Sequence, residues 1–239
     1  MYNSLLGSMS TLFFFNRFAD AFYLNFIKEN RYMLLVNGLG ITLKVTFFAI
    51  ILGIIIGFII ALLKISSFKL FNIIATVYID IIRGTPAVVQ LLIMYFIVFG
   101  SVHVSKVLVA VIAFGINSGA YVAEIVRAGI LAVDKGQMEA GRSLGLSYAS
   151  TMRYIIIPQA VKNILPALVN EFIVLLKETA IVGYIALEDL TKGGDIIRSR
   201  TYDAYMPLLT VALIYFILTT ILSKLLAGLE RRMRQGDSR

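Results

Sequence analysis

Residues 137–158 run Gln137-Met138-Glu139-Ala140-Gly141-Arg142-Ser143-Leu144-Gly145, nine further residues, then Ile155-Ile156-Ile157-Pro158. The stretch lies inside a segment, 133–162, that is too polar to cross a bilayer and too helix-prone to be a slack linker. Apolar sequence flanks it on both sides. The reading is a short helix laid on one face of a membrane. Gly145 lets the chain turn at its end, and Pro158 starts a new segment. Such a helix can sit in a partner's groove and move with it as a rigid lever.

Working outward, a spanning helix needs ~20 mostly apolar residues. Five segments qualify, roughly 38–63, 71–99, 106–132, 163–186 and 206–228. Composition agrees. Of the 239 residues 59% are apolar and only 15% charged, with a mean hydropathy of +0.87. Soluble domains sit near one half apolar and one quarter charged. One compact core cannot hide so much apolar surface, so the fold class is all-α and integral to the membrane. The segments carry no continuous repeat, and an odd number of them argues against two duplicated halves.

The absence of cysteine excludes disulfides, thiolate metal sites and cysteine nucleophiles. His103 is the single histidine, which excludes multi-histidine metal sites, and at a loop edge it reads as incidental. No catalytic centre is expected. The net charge of +8 sits at the ends of apolar runs rather than in one patch, so nucleic acid is a poor partner and membrane lipid a good one. With the N-terminus outside, the inner pieces hold ten Lys and Arg against four acids, and the outer pieces seven against six. The positive-inside rule therefore favours N-terminus out and C-terminus in. No cleaved leader is expected. Residues 1–35 read as an aromatic interfacial segment carrying Phe13, Phe14, Phe15, Phe18, Phe22, Tyr23 and Phe26. Residues 36–230 form the membrane domain, and 231–239 a basic cytoplasmic tail.

Within the first span Ala49, Gly53, Gly57 and Ala61 form a smooth stripe on which another helix packs closely. Three other spans carry polar faces. Asp80 and Arg83 precede Gly84-Thr85-Pro86 and Gln90; Asn117, Tyr121 and Glu124 share a face with Arg127 one turn on; Asn163, Asn170 and Lys177 recur every seven residues beside Glu171 and Glu178. Pro86 removes a helix hydrogen bond and frees carbonyls that a polar cavity could use. Intramembrane charge is disfavoured by ~2.5 kcal/mol or more on insertion scales. Asp80 with Arg83, and Lys177 with Glu171 or Glu178, are each readable as neutralising pairs. Three such faces together point to a polar, charged passenger.

The loop resembles the cytoplasmic signature of bacterial ABC importer permeases: Glu-Ala-Ala, three residues, Gly, nine residues, Ile-x-Leu-Pro. Both spacings match, with Gly141 for the second Ala and Ile157 for the Leu. Gly141 would loosen the helix by up to ~1 kcal/mol relative to Ala. The likeness extends through Ile81-Ile82-Arg83-Gly84-Thr85-Pro86, the run Ile116 to Ile130, and Asn170-Glu171-Phe172 to Leu176-Lys177-Glu178-Thr179. These look like the polar amino acid branch (histidine, arginine, glutamine, cystine) over roughly residues 35–235.

The resemblance implies a type I importer permease of five transmembrane helices in the bacterial cytoplasmic membrane. It implies a coupling helix bearing Glu139, Ala140, Gly141, Gly145 and Pro158 that docks into an ATPase subunit. Its implied partners are a second permease subunit (the same chain or a paralogue), two nucleotide-binding subunits and an extracytoplasmic amino acid binding protein. The chain has no Gly-x-x-x-x-Gly-Lys-Ser/Thr loop, so ATP and Mg²⁺ belong on the partner, and this chain is no enzyme and holds no cofactor. The alternative, an ion-coupled carrier or channel without an ATPase, leaves the 133–162 loop without a role. For the importer, a mid-membrane site is expected from Asp80, Thr85, Gln90, Asn117, Ser118, Glu124 and Glu178. The carboxylates would hold an ammonium or a basic side chain. Asn117, Ser118 and amides near Gly84 and Pro86 would hold a carboxylate. The surplus of acids leans weakly toward a basic amino acid.

Overall fold

The chain is described from a computed structural model for residues 16–234, all helix and connecting turns. Residues 1–15 of the N-terminal segment and 235–239 of the tail lie outside the described residues. Helix α1 covers 16–22 and widens into a π turn over Tyr23–Ile27. Then follow α2 (Tyr32–Ile65), α3 (Lys69–Arg83), α4 (Ala87–Ile93, widening over Met94–Val98) and α5 (Lys106–Leu131). The loop 133–162 gives α6 (Lys135–Ser143) and α7 (Tyr148–Thr151), and a π turn Met152–Ile156 leads into α8 (Ile157–Glu178). A 3₁₀ stretch, Thr179–Ile185, precedes α9 (Leu190–Thr201) and α10 (Tyr205–Arg234).

Three of these helices are long and apolar enough to cross a membrane: Tyr32–Ile65, Lys106–Leu131 and Tyr205–Gly228. The expected span 71–99 is instead two helices, Lys69–Arg83 and Ala87–Val98, bent by 103°, a fourth crossing if the pair is one span. Pro86 and Gly84 account for the break, since neither supports a continuous hydrogen-bond ladder. The expected segment 163–186 begins earlier, at Ile157, and tightens to 3₁₀ geometry after Glu178. The described part of the aromatic segment, from residue 16, is broken before α2. Glu29 and Asn30 both take left-handed conformations (φ 58° and 54°), which end α1 and redirect the chain before α2 starts at Tyr32.

Two compact units emerge. One gathers the residues up to Thr42 with Ala180–Ile217; the other holds Leu43–Thr179 and the residues from Leu218. The first has a core of Phe26, Leu35, Leu190, Ile197 and Val211. In it the amide of buried Asn25 donates to Asp203 Oδ2 at 2.7 Å, and Thr201 Oγ1 donates to Asn25 Oδ1 at 2.8 Å. Asp189 caps α9, accepting from the Thr191 and Lys192 amides at 3.2 and 2.9 Å. Burial pushes the Asp189 carboxyl above its ordinary range, while those amides pull it back.

In the second unit α5 is the central element. It packs most extensively on α8 and next on α3, with Ala61, Ile79, Val122, Ala123 and Val126 buried together. The small-residue stripe of α2 meets it: Ala49 and Ala61 are fully buried, and a Cβ on Gly57 would lie 2.5 Å from that of Val122. The opposite face of α2 exposes Phe47, Phe48, Ile51, Ile55, Phe58, Ile59 and Leu62, the surface a lipid-facing helix presents.

Candidate functional site

The break between α3 and α4 is stitched by side chains. Pro86 has no N–H to give the Ile82 carbonyl, and Gln90 Nε2 supplies the donor at 2.7 Å. The same amide reaches Thr85 Oγ1 at 2.7 Å and the Thr85 carbonyl at 3.1 Å. Thr85 Oγ1 in turn donates to the Ile81 carbonyl at 2.9 Å. Asn117 Nδ2, from α5, donates to Gln90 Oε1 at 3.0 Å. Thr85, Gln90 and Asn117 are thus one cluster, and all three are engaged in holding the crook to α5. Tyr78 ties α3 to α5 as well, donating to the Ile116 carbonyl at 2.6 Å.

Deeper along α5, buried Ser118 donates to Glu171 Oε1 on α8 at 2.8 Å. Glu171 belongs to the Asn170–Thr179 run but not to the residues expected in the site. The available signal was its spacing: seven residues before Glu178, it repeats on the same helical face. Glu178 is half-buried, whereas Asn163, Asn170 and Lys177 form an exposed stripe on this single chain. α8 therefore turns one carboxylate into the α5 interface and leaves a polar row outward.

Glu124 is brought into an ion pair on its own helix. Arg127 Nη2 donates to Glu124 Oε2 at 2.7 Å and Nε to Oε1 at 3.1 Å. Asp80 makes no ion pair with Arg83 among the described residues. The Arg83 guanidinium lies over the Tyr121 ring instead, 5.3 Å from its centre. Asp80 is exposed on α3 and joins neither cluster. The reading of Asp80 with Arg83 as a neutralising pair is thereby replaced.

The loop folds as a capped helix. Asp134 caps α6 by accepting from the Gly136 amide at 2.7 Å. At its other end Leu146 N–H donates to the Gly141 carbonyl at 3.1 Å and Gly145 N–H to the Arg142 carbonyl at 3.0 Å. That is a Schellman end, and it needs the left-handed Gly145 (φ 83°). Glu139, Ala140, Arg142, Ser143 and Leu144 are exposed, while Gly141 is buried. Pro158 does not begin a separate segment. The helical path runs on from Tyr148, and the wide turn Met152–Ile156 just before it accommodates the missing N–H.

Residues 30–235 match a protein family described as the inner membrane component of binding-protein-dependent transport systems. The arginine transport system permease protein of Bacillus subtilis (strain 168) is 43% identical over 205 residues, covering 85% of this chain and 94% of that protein. The glutamine transport system permease protein of Escherichia coli (strain K12) is 38% identical over 204 residues, 84% and 93% of the two chains. Among solved structures, an amino acid ABC transporter crystallised with histidines is 53% identical with a TM-score of 0.81, covering 87% of this chain and 98% of that one. An inward-facing methionine ABC transporter shares the fold at 23% identity and a TM-score of 0.74, covering 84% and 96% of the two chains.

Proposed function

The chain belongs to the family of binding-protein-dependent transport system inner membrane components, and we propose that it is the membrane pathway of an ATP-driven importer for polar amino acids. It is a multi-pass membrane protein and a transport component, and the carrier or channel alternative falls away with that membership. The observation that carries the importer reading is α6: a capped, Schellman-ended helix with an exposed Glu139–Leu144 face, inside the family match. In this reading it seats in a nucleotide-binding subunit, and Glu139, Ala140, Gly141, Gly145 and Pro158 belong to the coupling element. ATP and Mg²⁺ sit on that separate subunit, present in two copies. A second permease subunit, the same chain or a paralogue, covers the outward polar row of α8. An extracytoplasmic binding protein delivers the substrate.

The substrate reading rests on the relatives named for arginine and glutamine and on the acids of this chain. Glu171 and Glu178, one face of α8, suit a cationic group. Glu124 is the weaker candidate because Arg127 already neutralises it. Thr85, Gln90 and Asn117 shape the site by fixing the crook rather than by touching the passenger. A basic amino acid fits best, with the N-terminus outside and the C-terminus in the cytoplasm.

The test is to purify the complex with its ATPase and binding protein and measure ATP hydrolysis as amino acids are added. Stimulation by arginine, lysine or histidine supports the reading. A chain that purifies without a P-loop ATPase and transports without ATP would sink it.

A further inference from the structure

In the unit that includes Ala180–Ile217, a cavity of about 370 Å³ lies among the 3₁₀ stretch, α9 and the start of α10. Its lining begins just after α8 ends, at Ala180, and no role assigned so far uses it. Ala180, Gly183 and Leu208 give it apolar walls, and Tyr184 an aromatic one. Its charged lining is an ammonium beside a carboxylate: Lys192 Nζ donates to Asp195 Oδ2 at 2.9 Å. Arg198 holds the other oxygen, Nη2 to Asp195 Oδ1 at 2.5 Å and Nε at 3.0 Å. Lys192 and then Arg198 hold the Asp195 carboxyl below its ordinary range, so it is ionised at neutral pH.

We infer that this cavity is a second, weak amino acid site, which recognises the zwitterionic backbone that all α-amino acids share. A free amino acid carries one ammonium and one carboxylate a few bonds apart, the inverse of the Lys192–Asp195 pair. The Lys192 ammonium has three donors and gives one to Asp195, leaving two for a ligand carboxylate. Asp195 has lone pairs beyond those held by Lys192 and Arg198 for a ligand ammonium. Both side chains are about one-third exposed, so this intrahelical pair is weak and easily shared with a ligand. The apolar walls and the Tyr184 ring accept a side chain without selecting one, so the site admits basic and neutral amino acids alike. Selectivity then lies elsewhere, in the α5–α8 region. The choice of ligand rests on the importer reading above; the geometry does not.

The chain has no cysteine, so one introduced thiol reports cleanly. A Cβ on Gly183 would stand 3.5 Å from Lys192 Cδ, an ordinary contact, so Gly183→Cys places a reactive sulfur in the cavity. The whole transporter in nanodiscs is labelled with a maleimide, reading the band of this chain. At about 10 mM, arginine and glutamine slow labelling of Gly183→Cys about fivefold, the occupancy expected for a millimolar site. Agmatine, which lacks the carboxylate, does not. Labelling at Ser199→Cys, on α9 outside the cavity, is unchanged by all three. Lys192→Gln abolishes protection and Lys192→Arg keeps it. No slowing by arginine or glutamine overturns the inference, as does equal slowing by agmatine or protection that survives Lys192→Gln. ATP-driven uptake by the unsubstituted transporter judges the importer reading separately.

Discussion

Gly141 of α6 faces Thr151 so closely that a Cβ at position 141 would lie 2.5 Å from the Thr151 methyl carbon and 2.9 Å from its hydroxyl. The glycine that departs from the family pattern is therefore a packing residue: the loop folds back on its own next helix. Gly141→Ala gains up to ~1 kcal/mol of helix propensity but overpacks a contact, which costs about 1–3 kcal/mol. The clash should win. Gly141→Ala is expected to lower thermal stability and binding-protein-stimulated ATPase, and adding Thr151→Ser, which removes the methyl, should restore much of both. A single variant as stable as wild type would refute the close-contact argument.

Gly145 ends α6 at φ 83°. A branched side chain there strains the left-handed turn by about 1–2 kcal/mol and breaks the geometry that presents the exposed face. Gly145→Val should insert into the membrane normally but transport with ATP hydrolysis uncoupled from uptake. Wild-type coupling ratios would remove α6 as the docking element.

Gln90→Leu strips the donor from the Ile82 carbonyl and the acceptor from Asn117. Each buried polar group left unpaired costs about 1–3 kcal/mol. The expected outcome is loss of stability in detergent before any selective change in substrate affinity. Gln90→Glu keeps the acceptor for Asn117 and loses the donors, so it should fall between. If either variant changes only the apparent KM at full stability, Gln90 touches substrate.

For the α8 acids, arginine binding to the solubilised complex without its binding protein is the measurement. Glu178→Gln and Glu171→Gln should each weaken binding about tenfold, equivalent to ~1.4 kcal/mol. Glu124→Gln should weaken it less, since it mainly releases Arg127. Equal affinity in the first two variants, with the protein folded, would leave the carboxylates as structural groups.

A reporter fused after Arg239 should be active only in its cytoplasmic form, as the distribution of basic residues requires. Activity of an extracytoplasmic reporter at that position would invert the topology.

Much of this was legible because local chemistry decides it. Gly145 at a turn and the stripe Ala49–Ala61 each follow from steric rules that act within one or two turns. Illegible was which polar side chain answers which freed backbone group. Gln90 reaches back eight residues to Ile82 only because the chain bends by 103° there, and no spacing rule encodes a bend angle. Glu171 is not distinguishable from Glu178 in the sequence, because helical phase shows which residues share a face, not which faces a neighbour. The break in the N-terminal segment was illegible for another reason. Aromatic composition marks an interface but does not register two consecutive left-handed residues, Glu29 and Asn30.

The π turn Met152–Ile156 sits where the loop becomes α8. A π turn carries one residue more than an α turn in the same span. It is a dislocation in the helix, and dislocations can glide or anneal. Were this one to anneal, everything beyond it would screw forward by one residue, about 100° of rotation and ~1.5 Å of rise. Such a step would carry Glu171 off Ser118 and sweep the Asn163–Asn170–Lys177 row around the axis. A pull on α6 would then reach the interior as discrete angular clicks. Distances from a spin label beside Asn170, recorded with and without ATP, distinguish such a click from a rigid translation.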